Sequence, residues 1–84
     1  MPMHIKVEFY GSFREEAEEI SLILPDGATI ASLLAALAHK MPSLHQKITA
    51  TETMIVVVNG KRVEKSRELE DGDVVKFFSS VLGG

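Results

Sequence analysis

Apolar and polar positions alternate from Met3 to Tyr10, with Met3, Ile5, Val7 and Phe9 on one side and His4, Lys6, Glu8 and Tyr10 on the other. A period of two marks a strand with one buried face. Gly11-Ser12 interrupts the pattern, and a charged stretch runs from Arg14 to Glu19. Alternation then resumes with Ile20, Leu22 and Leu24 against Ser21 and Ile23. The two strands are expected to pair as an antiparallel hairpin with a wide loop.

Pro25-Asp26-Gly27 reads as a turn, and Thr29 is placed to cap a helix whose apolar face is Ile30, Leu33, Leu34, Leu37, Ala38 and Met41. Pro42 disfavours helical geometry at Met41 and lacks an amide hydrogen, so the helix is expected to stop there. That leaves Ser43 to Thr53 as a polar connection with room for one extra turn around Leu44 and Ile48. Met54 to Val58 is an unbroken apolar, β-branched run of the kind found in interior strands. Asn59-Gly60 favours a tight hairpin turn, and a short strand around Lys61 to Val63 is expected to return from it. After the Asp71-Gly72-Asp73 turn, Val74 to Phe78 forms the last strand. The chain therefore divides into a domain over 1–78 and a flexible tail over 79–84. Its order of strand, strand, helix, strand, short strand, strand predicts an α+β domain with one helix packed across a single sheet.

If Val75 and Phe77 point at the helix, Val74, Lys76 and Phe78 point away from it. Phe78 then stands exposed at the root of the tail, where with Val81 and Leu82 it offers an apolar anchor for a partner.

Composition narrows the chemistry. A chain of 84 residues supports one core, and 45% apolar with 25% charged residues is the balance of a folded domain. Twelve acids against nine bases leave a net charge of −3 with no basic stripe, which argues against nucleic acid as a partner. Cysteine is absent, which removes disulfides, zinc-thiolate sites and a cysteine nucleophile. His4, His39 and His45 are dispersed without metal-ligand spacing. No window approaches a membrane span and no leader pattern opens the chain, so the expected location is the cytoplasm. Glu15, Glu16, Glu18 and Glu19 read as a solvated loop. Lys61, Arg62, Lys65 and Arg67 read as a solvated edge, with contact to acidic partner surfaces as the alternative. Arg14 has no assigned role.

The C-terminal segment carries Val58-Asn59-Gly60, Leu69, Asp71-Gly72-Asp73, Val74-Val75, Phe77-Phe78 and a terminal Gly83-Gly84. This pattern resembles the closing segment of the MoaD/ThiS family of ubiquitin-like sulfur carriers. IKVEFYGSFRE and LPDGATIASLLAAL resemble the family's first strand, arginine-bearing loop and helix start. The paired phenylalanines are most similar to the MoaD branch, the small subunits of molybdopterin synthase, although Ser79-Ser80 stands where many of those proteins carry two prolines.

The resemblance implies a β-grasp fold: a mixed sheet of four to five strands, the first and last side by side in parallel, with one main helix across one face. It implies that Gly84 is the working residue. An adenylating enzyme of the MoeB/ThiF kind would activate its carboxylate with ATP, and sulfur would then replace AMP to leave a thiocarboxylate. The chain itself would bind no cofactor or metal and would act as a non-catalytic carrier within a sulfurtransferase complex. The tail residues Val81, Leu82, Gly83 and Gly84 would enter the partner's active site, since two glycines pass a narrow channel without Cβ clashes. Six extended residues reach about 20 Å. Phe78, Val74 and Lys76 would dock on the adenylating enzyme and on a MoaE-like large subunit of molybdopterin synthase. The alternatives are sulfur delivery to thiamine or to tRNA thiolation, and a protein modifier that forms isopeptides through Gly84.

Overall fold

In β1 (Met3–Tyr10) the inward residues Met3, Ile5, Val7 and Phe9 are buried and the outward set is exposed or half-buried, as the alternation requires. The computed structural model describes residues 1–51 and 54–79. A short 3-10 turn (Gly11–Glu15) leads to β2 (Glu19–Leu24), followed by α1 (Ile30–Lys40), α2 (Pro42–Ala50), β3 (Met54–Val58), β4 (Lys61–Arg62) and β5 (Val74–Ser79). The strands form one sheet in the order β2-β1-β5-β3-β4. β1 and β5 run parallel at its centre and the other pairs are antiparallel. This is the central pairing that a β-grasp domain requires.

α1 begins where its sequence says it should. Thr29 accepts from the Ser32 amide at 3.2 Å while the Ser32 hydroxyl accepts from the Thr29 amide at 3.0 Å, a reciprocal cap for two of the amides a helix start leaves open. Two more are taken by the segment before β5: the Ile30 amide donates to the Arg67 carbonyl and the Ala31 amide to the Lys65 carbonyl. Ile30, Leu33, Leu34 and Leu37 are buried and share one hydrophobic core with Val56, Val58, Val75 and Phe77 of the sheet.

Two expectations are corrected. The connection after Met41 is a nine-residue helix rather than a polar loop with one turn. Pro42 does end α1, but it also occupies the first turn of α2, where its fixed φ and missing amide hydrogen cost nothing. Leu44 and Ile48, four residues apart, are buried at 0% and 2% exposure and hold α2 on the core. The β1–β2 hairpin is antiparallel with a wide loop, as expected, and Phe13 at 0% exposure anchors the 3-10 turn of that loop inside. The last strand extends one residue further than expected, through Ser79.

At the far end of β5 the turn is held by Asp73, buried at 6% exposure, whose carboxylate accepts from the Glu70 amide at 2.9 Å and from Asn59 Nδ2 at 3.3 Å. Asn59 itself takes φ 52° and Gly60 φ 79°, the left-handed pair of a type I′ turn.

Candidate functional site

The helices cover one face of the sheet, and the other face carries the outward residues of every strand. Strand register arranges them in rows. One row is Tyr10, Phe78 and Ile55; the next is Glu19, Glu8, Lys76, Val57 and Arg62; a third is Ser21, Lys6 and Val74. An aromatic and aliphatic row therefore borders the end of β5 from which the tail continues, and a charged band lies behind it.

The aromatic row is built to be rigid. Tyr10 and Phe78 stack with ring centroids 4.8 Å apart and planes 11° from parallel. The Arg14 guanidinium lies 5.6 Å from the Tyr10 ring centroid and pairs with Glu18 at 3.3 Å. A cation over an aromatic face is attracted by the ring quadrupole, so Arg14, unassigned in the sequence, closes the stack from the loop side. The Tyr10 hydroxyl donates to Glu8 Oε1 at 2.6 Å. That bond is the chief reason the Glu8 carboxyl is held below its ordinary range and the Tyr10 hydroxyl is pushed above its own. Lys6 lies 3.8 Å from Glu8 and 3.5 Å from Glu19.

The end of β5 is fixed by the loop after β1. The Ser12 amide donates to Ser79 Oγ at 2.8 Å. Gly11, at φ +70°, approaches so closely that a Cβ there would collide with Ser79 Oγ. Only glycine combines that φ with that proximity.

Of the residues expected to bind a partner, Val74, Lys76 and Phe78 lie together on the open face and are half-buried, while Val75 and Phe77 are fully buried against the helices. Phe78 is therefore the outward phenylalanine, partly covered by Tyr10 rather than freely exposed. Val81, Leu82, Gly83 and Gly84 lie outside the described residues. Sequence reasoning did not bring Tyr10, Ile55 or Val57 into the site. Tyr10 was legible as an outward residue of β1, but only the parallel register places it beside Phe78. At the other end of this face, Ile23 is 67% exposed and borders, with Lys6 and Val74, a shallow depression of about 410 Å³. Among the described residues, no cluster of histidine and carboxylate side chains could hold a metal ion, and no helix is long and apolar enough to cross a membrane.

Residues 7–84 match the sequence profile of the ThiS family. No curated protein matches the chain in sequence. Among solved structures, the small archaeal modifier protein 1 of Haloferax volcanii superposes with a TM-score of 0.84 at 19% identity, over 94% of this chain and 99% of that one. A Pyrococcus furiosus protein provisionally assigned as molybdopterin converting factor, subunit 1, gives 0.75 at 28% identity over 94% and 99%. A chain from the complex of subunits 1 and 2 of molybdopterin-converting factor of Helicobacter pylori gives 0.71 at 22% identity over 98% and 100%.

Proposed function

The chain belongs to the ThiS family, a member of the ThiS/MoaD-like ubiquitin-like sulfur carriers, and on that premise we propose that its Gly84 carboxylate carries sulfur as a thiocarboxylate. The observation that carries this reading is that the family match runs through the terminal Gly83-Gly84, on a domain whose last strand ends beside a built aromatic platform. A carboxylate oxygen of Gly84 would attack the α-phosphorus of ATP on a partner adenylating enzyme of the MoeB/ThiF kind, with pyrophosphate leaving. A sulfur nucleophile would then add to the acyl carbon and expel AMP. The carrier contributes the carboxyl group, its reach and a docking face; the adenylating enzyme contributes the catalysis and the ATP site.

For the acceptor, the reading is sulfur transfer to a pterin precursor held by a MoaE-like large subunit, making this chain the small subunit of a molybdopterin synthase in the cytoplasm. Its support is the likeness to the Pyrococcus protein and to the Helicobacter complex of two subunits, together with the Phe77-Phe78 pair. A second reading, protein modification through an isopeptide at Gly84, is favoured by the likeness to the Haloferax modifier.

The test is the intact mass of the chain after incubation with the adenylating enzyme, ATP and a sulfur source. Replacement of one terminal oxygen by sulfur supports the carrier, and an unchanged carboxylate argues against it. Conjugates of higher mass in the native host that require Gly84 would favour the modifier reading.

A further inference from the structure

β4 pairs with β3 only at Val57 and Val58, so the first half of β3 has a sheet edge beyond it. The N–H and C=O of one residue point to the same side of a strand, and successive residues alternate. The bond from the Val63 amide to the Val56 carbonyl, 2.9 Å, therefore shows that Val56 and Met54 turn their backbone groups toward this edge. Among the described residues, that bond is the one backbone contact returned to it beyond the β4 pairing. Exposed strand edges of this kind accept a further strand.

Two adjoining cavities of about 510 and 220 Å³ open along the same edge and share Met54 and Lys65. Val56, Val63 and Ile48 supply apolar lining, and the charged lining is Arg62 and Lys65 with Glu64 between them in sequence. The charge is concentrated: Lys61, Arg62, Lys65 and Arg67 place four of the chain's nine bases within positions 61–67, with Glu64 as the one acid there. None of the four is in an ion pair among the described residues. A cationic rim around an apolar groove on a chain of net charge −3 is complementary to an acidic ligand with apolar side chains.

We infer that this edge of β3 is a second docking site, which takes an extended acidic peptide segment of a partner protein as an added strand. Its backbone continues the sheet past Val56, its apolar side chains enter the cavity, and its carboxylates meet Arg62 and Lys65. At the spacing of sheet strands, about 4.8 Å, the added strand lies about 10 Å from β5 and leaves the Tyr10–Phe78 face clear. The site is independent of any chemistry at Gly84.

The test uses the full chain and a fluorescein-labelled peptide that alternates valine and glutamate. The expected result is saturable binding by anisotropy, with amide shift changes at Met54, Val56 and Val63. Affinity should fall by about tenfold or more in an Arg62→Glu, Lys65→Glu variant and fall with added salt. Should the charge reversal fail to fold, Arg62→Gln with Lys65→Gln gives the same comparison. The site is refuted by absence of saturable binding, by equal binding of a valine–lysine peptide, by shifts confined to Tyr10 and Phe78, or by stronger binding of a single-stranded oligonucleotide of the same charge.

Discussion

Tyr10 and Phe78 face each other across the parallel β1–β5 pairing, rings 4.8 Å apart, so the first strand fixes the orientation of the aromatic that ends the last one. Adjacent phenylalanines on β5 therefore have separate duties. Phe77 is buried at 0% exposure and stacks on Phe9 at 5.9 Å inside the core, whereas Phe78 belongs to the open face.

Phe77→Ala should cost about 3–5 kcal/mol, as large-to-small changes at buried aromatics do, a large share of the stability of a domain of this size. Phe78→Ala should lose only its stack on Tyr10 and part of its burial, about 1–2 kcal/mol. Urea unfolding of the two variants checks the contrast, and equal losses would mean that the two side chains share the core.

Gly11→Ala should destabilise by about 1–3 kcal/mol, because it combines a left-handed φ with a collision at Ser79 Oγ. Ser79→Gly alone should lose the bond from the Ser12 amide, about 1 kcal/mol. The double variant should be more stable than the sum of the two losses, since removing the Ser79 side chain also removes the collision. Strict additivity in a denaturant cycle would refute the close approach as the reason for glycine.

The Glu8 carboxyl lies below its ordinary value of 4.5, first because the Tyr10 hydroxyl donates to it, against partial desolvation, with Lys76, Lys6 and Arg14 adding attraction. A carboxyl depressed in the folded state contributes stability above its unfolded value and loses it as pH falls through the folded value. The Tyr10 hydroxyl is raised above 10.0 by the same bond, so its contribution is complete below that pH and fades as pH rises through the raised value. The stability advantage of the native chain over Tyr10→Phe should therefore be flat across neutral pH and shrink below about 4.5. Thermal melts at stepped pH check this, and a pH-independent difference would exclude the Tyr10–Glu8 bond as its source.

Much of this architecture was legible in the residues. Period-two alternation located β1 and β2, the Thr29 cap and its apolar stripe located α1, and Asn59-Gly60 located the β3–β4 turn. What escaped were features that depend on tertiary contact. α2 contains only one apolar pair at helical spacing, Leu44 and Ile48, and becomes a helix because the core takes both. Phe13 sits among charged residues in a segment without periodicity, so its burial could not be read locally. The aromatic platform needs the parallel register of two strands at opposite ends of the chain, which the family resemblance implied as a topology but which no local pattern specifies. The Gly11–Ser79 approach is likewise a consequence of that pairing, invisible to any window of sequence.

Gly84 and Phe78 should fail in different ways when the adenylating enzyme is assayed with this chain as substrate. Removing Gly84 takes away the carboxylate in its reactive position, so turnover should vanish at every concentration of carrier, because the loss is of the reacting group itself. Phe78→Ala leaves that group intact and removes the proposed docking anchor, a loss of about 1–3 kcal/mol where an aromatic sits at a contact centre. It should raise KM by about tenfold while kcat changes little, which is the signature of a lost uniform binding contribution. Steady-state pyrophosphate release separates the two. A Phe78→Ala chain with an unchanged KM would remove the open face from the docking surface, and a chain lacking Gly84 that still supports turnover would overturn the assignment of the reacting carboxylate.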